Sequence, residues 1–156
     1  RSIKEITELA APHLIRAGYI TSNFDTARLA SIVASVRDSL ETISEITSAT
    51  AIYFNPPQIL DDAAREVLAL PAAKSVLECF LSEISAAQQE HLSLDEYRAI
   101  IKSVQKATGA KGKALYMAVR VGVTRSTKGA ELDLFIPLMP IKTLKERVEQ
   151  VIRESF

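Results

Sequence analysis

The sequence predicts an all-α fold, as one compact domain or two small packed subdomains, and three observations carry the helical prediction. Apolar residues recur at steps of three and four along most of the 156 residues, the spacing that gathers them on one face of a helix. Two S-x-x-E stretches, Ser2 to Glu5 and Ser93 to Glu96, have the form of a capping box. In that motif a hydroxyl and a carboxylate satisfy the free N–H groups of a helix start. Only 5 glycines and 6 prolines are present, too few for a disordered chain or a turn-rich all-β fold. A chain this long buries roughly 70% of its unfolded surface, so it needs no disulfide or metal to hold a core.

The elements follow in order. Ile6, Ala10 and Leu14 line the first helix. Pro12 falls inside it and predicts a kink or two short helices, because proline has no N–H to give. Gly18 ends it. Leu29, Ile32, Val33, Val36, Leu40 and Ile43 predict one long amphipathic helix. The stretch "YFNPPQ", Tyr53 to Gln58, cannot continue a helix through Pro56 and Pro57. A short helix is expected from Asp61 to Leu68, and Pro71 suits the first turn of the next one. That next helix is marked by Val76, Leu77, Phe80, Leu81 and Ile84. Tyr97, Ile100, Ile101 and Val104 line the helix behind Ser93, and Leu144, Val148, Val151 and Ile152 the closing one. The break near Pro71 sets the expected division, 1–70 and 71–156.

One stretch fits neither pattern at sight. In "KGKALYMAVRVGVTRSTKGAEL", Lys111 to Leu132, the residues Leu115, Met117, Val119, Val121 and Val123 alternate with Tyr116, Ala118, Arg120 and Gly122. A period of two favours a strand. No second strand exists to pair with it, and a lone strand is not stable, so a helix is expected.

The same stretch carries the charge asymmetry. The formal net charge is zero, yet Tyr97 to Ala130 holds eight basic residues and no acidic one. They are Arg98, Lys102, Lys106, Lys111, Lys113, Arg120, Arg125 and Lys128. The rest of the chain holds 11 basic residues and all 19 acidic ones. A positive face on a weakly negative body is the footprint of a polyanion partner, although a solvated helix face accounts for such a run as well.

Catalytic chemistry is absent from the pattern. Cys79 is the only cysteine, which excludes a disulfide framework or a cysteine zinc site and fits a reducing cytoplasm. It lies on an apolar helical stripe beside Phe80 and reads as core. His13 and His91 are too far apart to suggest a ligand pair. Asp61 and Asp62 open a helix, where acids offset the dipole, and no metal site is expected. No phosphate loop, nucleophile elbow or H-E-x-x-H helix occurs. There is no membrane-length apolar run and no signal-peptide pattern. A chain that starts at Arg1 instead of Met is expected to be a fragment or processed form of a longer protein. It reads as a binding protein.

The stretch from Lys111 to Leu132 resembles a segment near the C-terminus of bacterial glutamyl-tRNA synthetases, K-G-K-x-L-[FY]-x-P-[LV]-R-x-A-[LV]-T-G-x-x-x-G-P-E-L. Lys111, Gly112, Lys113, Leu115, Tyr116, Arg120, Thr124, Gly129, Glu131 and Leu132 are kept. "ELAAPHLIRAGY" and "SLDEYRAIIKSVQKATGAKGKALY" resemble earlier parts of the same C-terminal half. The resemblance implies an all-α anticodon-binding portion made of two helical subdomains. It also implies a covalent link to a class I catalytic domain in which ATP and Mg act. The H-I-G-H and K-M-S-K-S type motifs of that domain are missing here, so no cofactor is expected in this chain and no aminoacylation by it alone.

For the site, the resemblance implies that Arg120, Thr124, Arg125, Gly129, Ala130 and Leu132 meet the anticodon loop. Lys111, Lys113 and Lys128 would meet tRNA phosphates, adding affinity without sequence information. Leu115 and Tyr116 are expected to pack against the fold, with stacking on a base as the alternative. Three departures from the pattern matter for the site: Ala118 and Ala130 stand where the family has proline, and Arg125 where it has glycine. The partner implied is tRNA-Glu, with tRNA-Gln as a second candidate because some members charge both. No DNA or membrane partner is expected, and the chain is expected to be a cytoplasmic monomer. The competing reading is a helical protein-interaction module whose basic face meets an acidic partner.

Overall fold

A computed structural model describes all 156 residues and contains helices and no strands. The helices are α1 (Ile3–Arg16), α2 (Thr26–Val36), α3 (Ile46–Ala49), α4 (Ala51–Phe54), α5 (Asp62–Leu68), α6 (Ala73–Ser85), α7 (Leu94–Thr108), α8 (Lys113–Thr124), α9 (Leu132–Leu138) and α10 (Ile141–Ser155). Short 3-10 turns lie at Arg37–Ser39 and Ile43–Glu45.

Most boundaries follow from local chemistry. Ser2, Asp25, Asp61 and Ser93 each accept an N–H from the first turn of the helix behind them. The box at Ser93 and Glu96 is reciprocal, whereas Ser2 is a single cap with no return bond from Glu5. Gly18 and Gly109 follow α1 and α7 with φ of 79° and 75°, conformations that glycine takes without strain. As expected, α4 ends at Asn55 before the two prolines.

Two expectations are corrected. Pro12 sits inside a single α1 that neither breaks nor splits. Both Pro12 and Glu8 are exposed, so the Glu8 carbonyl that loses its usual N–H partner can bond water. The long helix expected from Leu29 to Ile43 stops at Val36. There Ser35 and Ser39 donate their hydroxyls to the carbonyls of Ile32 and Val36 at 2.6 and 2.7 Å, and Leu40 turns extended at φ −93° and ψ 124°. The Thr42–Glu45 capping box then starts a new turn. Side chains that bond their own backbone offer it an alternative to the helix, and here they win.

The alternating stretch is helical, as the lack of a strand partner required. In α8, Leu115, Ala118, Val119, Val121, Gly122 and Val123 are all buried, which explains why no clean amphipathic stripe was visible. α8 lies against α5, α6 and α10, and α6 also packs on α7 and α10. A methyl group on Gly122 would stand 2.6 Å from Leu77 Cδ2 and 3.5 Å from Val148 Cγ2, so glycine lets α8 approach α6 and α10 closely. At the other end α1 packs on α2 and α3, and α9 touches both α7 and α2. Buried apolar side chains from both ends form one continuous core.

Arg147 of α10 joins the groups. Its guanidinium donates to Ile52 O at 2.6 Å, Val123 O at 2.9 Å and Tyr53 O at 3.2 Å. Carbonyls at the C-terminal ends of α4 and α8 thus share one cation, which their dipoles favour. Burial pushes this guanidinium down to about 10, and it stays charged at neutral pH.

Candidate nucleic-acid interface

The end of α8 and the loop after it are held by side chain to backbone bonds. Arg125 takes a left-handed conformation at φ 61° and caps the helix by donating its N–H to Val121 O. Its guanidinium is 3% exposed and donates to Pro57 O at 2.6 Å and Gln58 O at 2.8 Å, with Nη1 2.9 Å from Glu154 Oε2. Thr124 is fully buried, its hydroxyl 2.8 Å from Arg120 O and 3.0 Å from Ser126 O. Ser126 Oγ accepts the N–H of Lys128 at 3.1 Å.

Arg120 then fixes the far side of the loop by donating Nη1 to Ala130 O at 2.9 Å. Its guanidinium is pushed below its ordinary value by burial, with Tyr97 and Glu131 acting the other way. Gly129 has φ 136°, and a methyl group there would come within 2.9 Å of Ile52 Cδ1. The loop is therefore drawn down onto α4. Glu131 leads into α9, and Leu132 beneath it is buried.

A cleft of about 600 Å³ opens between this loop and the opposite wall. Ser126, Lys128, Gly129, Ala130 and Glu131 form one side. Ser35, Asp38, Ser39, Ser48, Ile52 and Pro57 are among the residues of the other. The basic residues distribute unevenly around it. Lys128 is exposed at the rim, whereas Lys111 and Lys113 are exposed at the opposite end of α8, about 16 Å from Thr124 at 1.5 Å per residue. Lys102 and Lys106 of α7 line a separate shallow depression with Ser103, Gln105 and Gly109. Arg98 pairs with Asp133 at 3.0 Å.

Of the residues expected at the site, Arg120, Lys128, Gly129 and Ala130 come together. Thr124, Arg125 and Leu132 lie beneath the loop, with side chains that support it and offer little surface to a ligand. Tyr116, expected to pack, is 47% exposed, because it falls on the one face of α8 that no helix covers; Leu115 is fully buried as expected. Arg98 and Asp133 lie across α7 and α9 near the buried Tyr97, whose hydroxyl has no hydrogen-bond partner and is pushed up by burial. The wall from Ser35 to Pro57 was missed. The serines at 35 and 39 were the available signal, since two hydroxyls four residues apart that bond their own backbone end the helix while the apolar spacing runs on. No group of three or more His, Cys, Asp or Glu side chains is placed to hold a metal ion, and no helix is long and apolar enough to cross a membrane.

Residues 5–152 match the family described as anticodon binding domain. The chain belongs to that family. Among relatives of this anticodon-binding domain, the glutamate–tRNA ligase of Geobacillus thermodenitrificans (strain NG80-2) is 34% identical over 99% of the chain and 32% of its own length. That of Geobacillus stearothermophilus is 33% identical over the same shares. The chain spans about a third of the length of these curated relatives. A crystal structure of a glutamate tRNA ligase from Elizabethkingia meningosepticum CCUG26117, in complex with its amino acid, superposes with a TM-score of 0.84 at 15% identity. It covers 100% of this chain and 30% of that one, and shows that the fold is shared.

Proposed function

We propose that this anticodon-binding domain recognises the anticodon stem-loop of tRNA-Glu as the C-terminal portion of a glutamate–tRNA ligase, with tRNA-Gln as a second substrate. The observation that carries the reading is the cleft beneath the loop of residues 126–131. A loop anchored by Arg120 and Gly129 stands over an opening large enough for an unstacked base, in a domain whose family is named for anticodon binding. Single-stranded RNA loops are read in this way, by bases splayed into pockets while cations hold the backbone. Arg120 and the backbone at Gly129 and Ala130 would meet the base, and Thr124, Arg125 and Leu132 would hold the loop in shape. Lys111, Lys113 and Lys128 would contact phosphates. Attachment of glutamate, with its ATP and Mg, would belong to a catalytic domain joined to this one, in a monomeric cytoplasmic enzyme. The division at residue 70 would leave these contacts to the second subdomain, 71–156.

The test is a titration of the chain with tRNA-Glu, tRNA-Gln and an unrelated tRNA at two salt concentrations. Binding that weakens with salt and prefers tRNA-Glu, alone or with tRNA-Gln, supports the reading, because counterion release scales with the phosphates neutralised. Equal binding of all three removes anticodon recognition by this chain. An absence of RNA binding favours an acidic protein partner for the basic face instead.

A further inference from the structure

We infer that the ring of Tyr116 is a stacking platform for one nucleotide of the anticodon loop, outside the cleft and indifferent to which base it receives. The inference rests on the proposed docking of that loop, and it starts from the face of α8 that no helix covers. α8 buries Leu115, Ala118, Val119, Gly122 and Val123, and its outer face carries Lys113, Tyr116, Met117 and Arg120. These four are three, four or seven residues apart, so they form one stripe along the helix. Lys113 and Tyr116 are exposed, whereas Met117 and Arg120 are half-buried. An aromatic ring thus stands between two cations, with Lys111 exposed just before Lys113.

Other aromatic side chains of the chain are used inside it. Of the 4 tyrosines and 5 phenylalanines, only Tyr116 and Phe156, which follows α10, are exposed. Tyr19 stacks on Phe54, and Tyr53 meets Phe54 and Phe135, but Tyr116 pairs with no ring. It is also the single large apolar side chain exposed on α8. A protein-docking patch needs contiguous apolar surface, whereas one ring flanked by cations suits a base on the ring and phosphates beside it. The charges agree. No acid occurs between Lys102 and Ala130. Of the two acids that follow, Asp133 is held by Arg98 at 3.0 Å, and Glu131 acts on Arg120. That leaves Lys111, Lys113 and Arg120 against Glu131. Arg120 gives one N–H to Ala130 O and leaves its others without a partner. Tyr116 lies one turn before Arg120, about 6 Å at 1.5 Å per residue. A nucleotide next to one docked in the cleft therefore has the ring within reach, and stacking holds it without reading its edge.

The experiment uses the chain as it stands and RNA hairpins carrying the tRNA-Glu anticodon loop. Each loop nucleotide is made abasic in turn, and every hairpin is titrated against the wild type, Tyr116→Ala and Tyr116→Phe. Tyr116→Ala should lose about tenfold in affinity, within the range for one stacked base, and Tyr116→Phe should keep it. Neither should change the slope of log affinity against log salt, because the ring neutralises no phosphate. At one loop position, removal of the base should weaken the wild type about tenfold and leave Tyr116→Ala unchanged, since the two partners are then already apart. The chain has no tryptophan, so Tyr116→Trp puts a single fluorophore on this face, and the hairpin should quench it. Equal affinity of Tyr116→Ala and the wild type overturns the inference. So does a loss in Tyr116→Ala that adds to every abasic replacement, which would give the ring a role through the fold. Emission from Tyr116→Trp that ignores a bound hairpin overturns it as well, and a response to polyglutamate instead would give the face to an acidic protein. In all three cases anticodon-loop binding itself stands. Failure of every hairpin to bind removes the docking on which the inference rests, and the inference with it.

Discussion

Replacing Arg147 by methionine removes the one cation that ties α10 to α4 and α8. The side chain is 9% exposed and gives three hydrogen bonds, to Ile52 O, Val123 O and Tyr53 O. Methionine fills most of the volume, so cavity formation adds little and the polar effect is isolated. Each buried acceptor left without a donor costs about 1–3 kcal/mol. Against that, the wild type holds a guanidinium in the interior with no carboxylate beside it, as its lowered pKa of about 10 records. Relief of that desolvation returns part of the loss, and a net destabilisation of about 3 kcal/mol is expected. At about 2–4 °C per kcal/mol for a domain of this size, the melting temperature should fall by about 6–12 °C. Thermal unfolding followed by circular dichroism reads this directly. A variant that melts with the wild type would mean that the buried charge costs as much as its three bonds return. Arg147 would then fix position without adding stability. Arg147→Lys should recover part of the loss at most, since one ammonium cannot reproduce the planar fork that reaches both helix ends.

The other expectations are measured by binding and by acid titration. Arg120→Ala should weaken anticodon hairpin binding by about 1–3 kcal/mol and relax base preference, whereas Lys113→Ala should weaken all tRNAs alike and reduce the slope of log affinity against log salt by about one. Equal affinity of Arg120→Ala and wild type would remove Arg120 from the site. Glu154 is held below its ordinary value of 4.5: partial burial raises it, but bonds from Arg125 and Gln150 and the charges of Arg125 and Arg153 outweigh that. Its contribution to stability is thus present above the unfolded value near pH 4.5 and is lost as pH falls through the lower folded value. Glu154→Gln should flatten that part of the acid stability profile, and an unchanged profile would mean that the pair with Arg125 is screened out by solvent.

Helix class and most helix starts were legible because they depend on neighbours a few residues away: a hydroxyl before an apolar run, two prolines, a glycine after the last turn. The length of α2 was not, because Leu40 and Ile43 keep helical spacing while the serines at 35 and 39 undo the helix. Periodicity records which residues face inward, and an extended segment packed on the same core satisfies it too. α8 was hard to read for a related reason. A helix covered on several sides has no polar stripe, and its alternation came from small residues, Ala118 and Gly122, at its crossings with other helices. The loop half of the candidate site lies in one stretch of sequence and resembled a known motif. The opposite wall joins residues 35 to 57 to residue 129 through contacts between helices, and no local pattern announces such a pairing.

The basic segment shows most clearly what composition hides. Its eight cations divide by residue type. All three arginines are engaged within the fold: Arg98 with Asp133, Arg120 with Ala130 O, and Arg125 with Pro57 O, Gln58 O and Glu154. All five lysines, at 102, 106, 111, 113 and 128, are exposed and form no ion pair. Geometry accounts for the division. A guanidinium offers five N–H groups in one plane and can bind two carbonyls at once, so it suits joints between backbone segments. An ammonium on a flexible stem keeps its hydration and meets a phosphate as a point charge. Lysine replacements should therefore change salt-dependent affinity and leave the melting temperature in place, whereas loss of Arg125 should first disturb the shape of the cleft. The face that attracts a polyanion and the frame that shapes the cleft are drawn from the same run of charge, and residue type separates them.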